Sequence, residues 1–197
     1  ASWALREVSE LRDGETRVSF TLDSSMASLP GWPHPYSLQL DFEIGKALAV
    51  RRLAKNTGKE AFTFTGALHT YFTVGDARKA RVHGLDGLRY VDRLNDQQHV
   101  QQGELTFTAE TDRIYLGHSA AAELEDPALK RRIRIEKTGS ASTVVWNPWI
   151  AKAARMPDFG DAEWSGMLCS EAANALSDAV RLEPGGEHLL ALRLSLA

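Results

Sequence analysis

The chain has 197 residues, 43% hydrophobic and 25% charged, with a formal net charge of -3. That composition suits one soluble domain with a core of its own. It excludes a nucleic-acid binder that relies on excess basic charge, and no apolar run approaches the ~18 residues of a membrane-crossing helix.

The N-terminus, Ala1-Ser2-Trp3-Ala4-Leu5-Arg6-Glu7, has no basic stretch followed by an apolar one, so no signal peptide is expected. Arg17 to Leu22 alternates as a strand, and Asp23-Ser24-Ser25 turns. Pro30-Gly31-Trp32-Pro33-His34-Pro35-Tyr36 reads as a rigid loop, because its prolines fix φ and forbid helix. Ser37 to Ile44 is the clearest strand, with Leu38, Leu40, Phe42 and Ile44 on one face. Ala47 to Ala54 alternates again, and Asn56 to Glu60 is a turn. Thr63 onward reads as one strand that ends on His69, flanked by Leu68, Tyr71 and Phe72.

Val74 to Arg81 reads as a connection, and one short strand lies between Gly84 and Asp92. Asn95 to Gln102 is polar and expected to be exposed. Strands follow at Glu104 to Ala109 and Arg113 to Leu116, joined by Glu110-Thr111-Asp112. Lys130 to Lys137 places Ile133 and Ile135 on one face and a solvated basic face opposite. Thr143 to Trp146 is a β-branched strand. Asn147 to Ser165 is a long irregular stretch, too aromatic for a disordered linker. Met167 to Glu171 reads as a short buried strand ending on its carboxylate, Glu183 to Gly186 as a turn, and His188 to Leu196 as the last strand. No helical periodicity exceeds about two turns. The pattern predicts an all-β sandwich, one domain over residues 1–197.

The sole cysteine, Cys169, excludes an internal disulfide and favours a reducing compartment: the cytoplasm, or an organelle stroma or matrix. The six histidines form no HxH or HExxH, and no phosphate loop or GxSxG elbow occurs, so neither a metal nor a nucleotide is expected. What remains is one titratable group on each of two apolar strands, His69 and Glu171. A carboxylate that follows three apolar residues is a candidate general base. Tyr71, Trp146 and Trp149 could stack on a sugar ring, and Asp112 and Asn147 could bind its hydroxyls.

In order along the chain, Ala67-Leu68-His69-Thr70-Tyr71-Phe72, Thr111-Asp112-Arg113-Ile114-Tyr115, Val144-Val145-Trp146-Asn147-Pro148-Trp149 and Cys169-Ser170-Glu171-Ala172-Ala173-Asn174 resemble the D-hexose-6-phosphate mutarotases. These are the glucose-6-phosphate 1-epimerases of the galactose mutarotase-like superfamily. Met156-Pro157-Asp158-Phe159 fits the same resemblance. It implies a β-supersandwich, His69 as general acid, Glu171 as general base, Asp112 on sugar hydroxyls, no cofactor, and a hexose 6-phosphate or related aldose as substrate. It also implies that the chain is the C-terminal two-thirds of a longer protein, since the family's phosphate-binding Arg-Gly-Gly-x-Pro segment would lie upstream of Ala1. His34 is a weak candidate for a replacement polar group and reads as a loop residue. The competing expectation is a carbohydrate-binding or assembly subunit without catalysis. A metal-dependent β-barrel enzyme is a third, poorly supported reading. Oligomeric state stays open, a monomer included.

Overall fold

The computed structural model describes residues 2–26 and 31–197. Pro30, the first residue of the proline-rich loop, lies outside them. The first four strands form an antiparallel meander: β1 (Ala4–Glu10), β2 (Thr16–Asp23), β3 (Tyr36–Ile44) and β4 (Leu48–Asn56). Short strands follow: β5 (Phe62–Phe64), β6 (Gly66–Leu68), β7 (Tyr71–Thr73), β8 (Arg81–His83), β9 (Arg89–Asp92), β10 (Gln97–Val100) and β11 (Leu105–Thr106). The remaining elements are longer: β12 (Thr111–Leu116), β13 (Ala122–Asp126), β14 (Arg131–Thr138), β15 (Ser142–Asn147), helix α1 (Trp149–Ala153), β16 (Met167–Asn174), β17 (Val180–Leu182) and β18 (Glu187–Leu196). Among the described residues they build a nine-stranded sheet, β1-β2-β3-β4-β18-β14-β13-β8-β11, and a seven-stranded one, β10-β9-β12-β15-β16-β6 with β7 also on β16. A small third sheet pairs β17 with β5. Two large antiparallel sheets and a small third one agree with the β-supersandwich expected from the sequence.

The two large sheets meet over a core that takes Val82, Leu124, Ile135, Leu190 and Leu192 from one and Tyr115, Val145, Leu168 and Ala172 from the other. A fully buried leucine such as Leu168 stabilises the fold by ~2 kcal/mol. The core draws on the β18-β14-β13-β8 half of the larger sheet. The apolar face of the β1–β4 half is covered less, and Leu5, Val8 and Ile44 are exposed.

Several sequence expectations need correction. The stretch to His69 is two strands, not one. β5 pairs with β17, and β6 pairs with β16, so the chain changes sheets near Thr65. At Gly66, beside the crossing, a Cβ would lie 2.3 Å from Arg52 Nη1, so a side chain there would displace the guanidinium. Thr111 and Asp112 belong to β12 rather than to a connection, and the preceding strand shrinks to Leu105–Thr106. The polar 95–102 stretch is exposed except for Gln101, which is buried and accepts from Tyr115 and Arg113, and residues 97–100 pair with β9 as an edge strand. Strands β1, β7, β8, β13 and β17 were not foreseen. β13 hides in an alanine- and glutamate-rich run, where only its Ala122, Leu124 and Asp126 alternate inward. The 147–165 stretch holds α1 and a 3₁₀ turn at Glu163–Gly166. Along β14, Arg132 pairs with Glu123 and Glu125, and Arg134 with Glu136, so that face is a solvated ion-pair surface. Lys137, at its end, instead turns inward onto the Ser142 carbonyl and Thr143 Oγ1.

Candidate active site

Strand β16 positions the site. All eight of its residues are buried. Its side chains alternate between faces. Leu168 and Ala172 enter the main core, whereas Met167 and Cys169 join Trp146, Met156 and Phe159 in a separate cluster on the other face. Glu171 shares the parity of Cys169. It therefore sits mid-strand on that second face, not at a strand end as expected.

Register brings its partners alongside. Leu68 opposes Ala172 and Tyr71 opposes Cys169. The same register places His69, in the gap between β6 and β7, directly across from Glu171. The contact follows: His69 Nδ1 lies 3.4 Å from Glu171 Oε1. On the far side of β16, Trp146 opposes Cys169, and Asp112 opposes Trp146. Asp112, Trp146, Cys169 and Tyr71 thus form one row across four strands. At about 4.8 Å per strand spacing the row spans roughly 14 Å, room for one pyranose.

Aromatic rings wall this row. Tyr71 stacks on His69 with centroids 4.7 Å apart and planes 11° apart. The Trp146 ring stands edge-on to both, 6.2 Å from His69 and 6.3 Å from Tyr71. Phe159 braces Trp146 from behind at 6.5 Å. The imidazole remains half exposed while the carboxylate is 5% exposed, so the pair has one wet member and one dry one.

Electrostatics follow from that asymmetry. Burial, helped by the charge of Asp112, pushes the Glu171 carboxyl up to about 7. Burial holds the His69 imidazole below its ordinary 6.5. Asp112 is raised by burial, opposed by Lys152 and Arg93. Lys152, from α1, reaches to 3.4 Å from Glu110 and 3.9 Å from Asp112, with its ammonium 5.7 Å from the Trp146 ring centre. Sequence reasoning missed Lys152. Its only signal was a basic residue three positions beyond Trp149, in a segment read as irregular.

The structure does not bring Asn147 and Trp149 into the site. Asn147 is fully buried, and its amide nitrogen donates to the Trp164 and Met167 carbonyls at 2.8 Å each. Its oxygen accepts from Trp149 N at 2.9 Å. That side chain fastens the end of β15 to the start of β16 and has no group left for a hydroxyl. Trp149 adopts φ +56° and packs on Trp164, centroids 4.3 Å apart, and against the main core. The ring that faces the row is Trp146. His34 packs on Trp32 and Phe62 and belongs to a different cluster.

His69, Cys169 and Glu171 offer donor atoms within 4.8 Å of one another, the one such group among the described residues. Burial and the nearby Glu171 carboxylate push the Cys169 thiol up, so it stays protonated. A metal would need the thiolate, which makes the trio a poor ligand set. No helix among the described residues is long and apolar enough to cross a membrane.

The sequence profile of the Aldose 1-epimerase family matches residues 1–195. A "Putative glucose-6-phosphate 1-epimerase" of Cenchrus ciliaris is 36% identical over 176 residues, 86% of this chain and 53% of the relative. One of the same name from Escherichia coli K12 is 35% identical over 175 residues, 88% of this chain and 58% of the relative. A solved "putative mutarotase" from Salmonella typhimurium superposes with TM-score 0.89 at 31% identity, covering 99% of this chain and 64% of that one. The chain thus spans between half and three-fifths of the length of these curated relatives. With the profile matched over nearly every residue, the chain belongs to the aldose 1-epimerase family.

Proposed function

We propose that the protein interconverts the α and β anomers of a hexose 6-phosphate, with Glu171 as general base and His69 as general acid. One observation carries the reading: a buried carboxylate of pKa about 7 faces an imidazole 3.4 Å away, on an aromatic-walled row of sugar size. The anomeric hydroxyl and the ring oxygen of a pyranose share one carbon, so acid and base must stand side by side. A cross-strand pair does this by construction.

Glu171 takes the proton of the C1 hydroxyl while His69 delivers one to the ring oxygen, and the C1–O5 bond opens. The aldehyde turns about C1–C2, and closure on the other face runs the transfers in reverse. Two positioned proton-transfer groups contribute about 10²–10⁴-fold each. Tyr71 and Trp146 bound the ring, and Asp112 accepts from its hydroxyls. Lys152, already paired with Glu110 and Asp112, is assigned to the phosphate of the sugar. The names of the curated relatives support the hexose phosphate.

The test is anomerisation of glucose 6-phosphate, followed by polarimetry or NMR exchange above the buffer rate. His69→Ala and Glu171→Gln should each lose at least a hundredfold while circular dichroism stays unchanged. Wild-type rates in both variants would end the assignment. Saturable sugar binding without any acceleration in the unmodified protein would point instead to a binding module.

A further inference from the structure

A second site stands on the other large sheet, around Arg52. This residue lies on β4, on the face that carries Val50 and Ala54 inward. Its Nε and Nη2 are buried, and neither has a hydrogen-bond partner among the described residues. No ion pair among those residues includes it. The guanidinium carbon sits 5.6 Å from the Phe64 ring centre, and the Gly66 backbone closes in on Nη1. Two buried guanidinium nitrogens with no acceptor among the described residues are costly, because their desolvation is not repaid by a bond.

The guanidinium borders a cavity of about 240 Å³ lined by Trp32, Leu38, Phe62, Phe64 and Thr65. Trp32 and Phe62 meet edge to face at 5.2 Å, and Phe62 and Phe64 at 6.1 Å. His34 closes on Trp32 and Phe62 at 5.3 and 5.4 Å. Apolar walls around one unsatisfied, fork-shaped donor make a poor berth for water, which needs two to four polar partners. They suit a flat ring that carries an anionic head, since a guanidinium matches carboxylate and phosphate oxygens two at a time. Lys55 adds a second cation at the rim, held by Glu187 at 2.8 Å. Of these residues, none belongs to the His69–Glu171 row.

We propose that this cavity binds a small organic anion, an aromatic carboxylate or phosphate monoester, with its head on Arg52 and its ring between Trp32, Phe62 and Phe64.

Calorimetric titration with benzoate and with phenyl phosphate tests it, with inorganic phosphate and benzyl alcohol as the head alone and the ring alone. At least one aromatic anion should bind saturably at one to one, and more tightly than either half. Arg52→Met should weaken that binding at least tenfold. Arg51→Met, whose side chain leaves the opposite face of β4, should leave it unchanged. Replacing a charge that has no ion-pair partner among the described residues by methionine is not expected to unfold the chain. If it does, the NMR signal of the Arg52 Nε–H in the unmodified protein reads the same contact and should shift on titration. Binding by Arg52→Met equal to wild type, equal binding of benzyl alcohol, an unmoved Arg52 signal, or no saturable binding at millimolar anion would each overturn the proposal.

Discussion

Glu171→Gln isolates what burial costs the Glu171 carboxylate. Its pKa rises from an ordinary 4.5 to about 7 in the fold. At about 1.4 kcal/mol per pH unit, that is about 3 kcal/mol by which the ionised carboxylate is disfavoured. The sign follows from proton counting. Between pH 4.5 and 7 the folded carboxyl keeps a proton that the unfolded chain has released. Raising pH through that window therefore lowers stability, and the full cost is present above pH 7. Glutamine is neutral at every pH and pays none of it. Relative to wild type, the variant should gain nothing below pH 4.5 and up to about 3 kcal/mol at pH 8. The comparison is made in a His69→Ala background, so that imidazole titration contributes nothing. Urea unfolding followed by tryptophan fluorescence, at half-unit pH steps, gives the midpoints and slopes. Any fixed penalty from the amide hydrogens shifts all points equally and leaves the slope intact. A gap between variant and parent that does not change with pH, or that shrinks from pH 5 to 8, would refute the reasoning.

Other consequences follow from the same geometry. The proposed turnover needs Glu171 ionised and His69 protonated, although the carboxyl holds its proton up to about 7 and the imidazole loses its own below 6.5. The pH–rate profile should accordingly be a bell with an acid break below 6.5 and an alkaline break at about 7, each belonging to the pair rather than to one residue. Asp112→Asn removes the like charge that raises Glu171. It should move the alkaline break to lower pH and raise KM. Asn147→Ala strands two carbonyls and one amide at the β15–β16 junction and should cost about 3 kcal/mol by thermal or urea unfolding, at ~1 kcal/mol per lost bond.

Strands with strict alternation were legible in the sequence: β2, β3, β14 and β18 lie within a residue or two of their expected bounds. Those missed were short or atypical, or, like β1, broken in their alternation by a register shift between Leu5 and Glu7. β8 and β17 have three residues each, too few for a period to show. β10 carries no apolar face at all, because it is an exposed edge. The chemistry of His69 and Glu171 could be suspected from apolar flanks, but not their contact, since register between segments 102 positions apart is a tertiary fact. Asn147 misled for a related reason. An asparagine after a β-branched strand looks equally fit for a ligand or for a buried junction, and only the three bonds it makes decide. Lys152 was hidden because its helix is five residues long, and its effect comes from standing over Trp146 rather than from any pattern.

The proposed acid and base are held by hydrogen-bonded strands instead of loops, and this makes their geometry depend on register. Side chains on β16 alternate, so a slip of one residue against β15 and β6 would swap Glu171 for Ser170 or Ala172 and drive the carboxylate into the core between the sheets. The packing opposes that slip on both faces. Leu168 and Ala172 fill the core, while Met167 and Cys169 fill the cluster under Trp146. Moving any of them to the other face would bury the charge and leave holes at once. The eight buried residues of β16 thus fix the position of one proton acceptor more tightly than its own hydrogen bonds could. The interruption at His69 and Thr70 serves the opposite need. It frees the imidazole from the ladder while the flanking pairs Leu68–Ala172 and Tyr71–Cys169 keep it in step, so that His69 stays half exposed and can exchange its proton with solvent between turnovers.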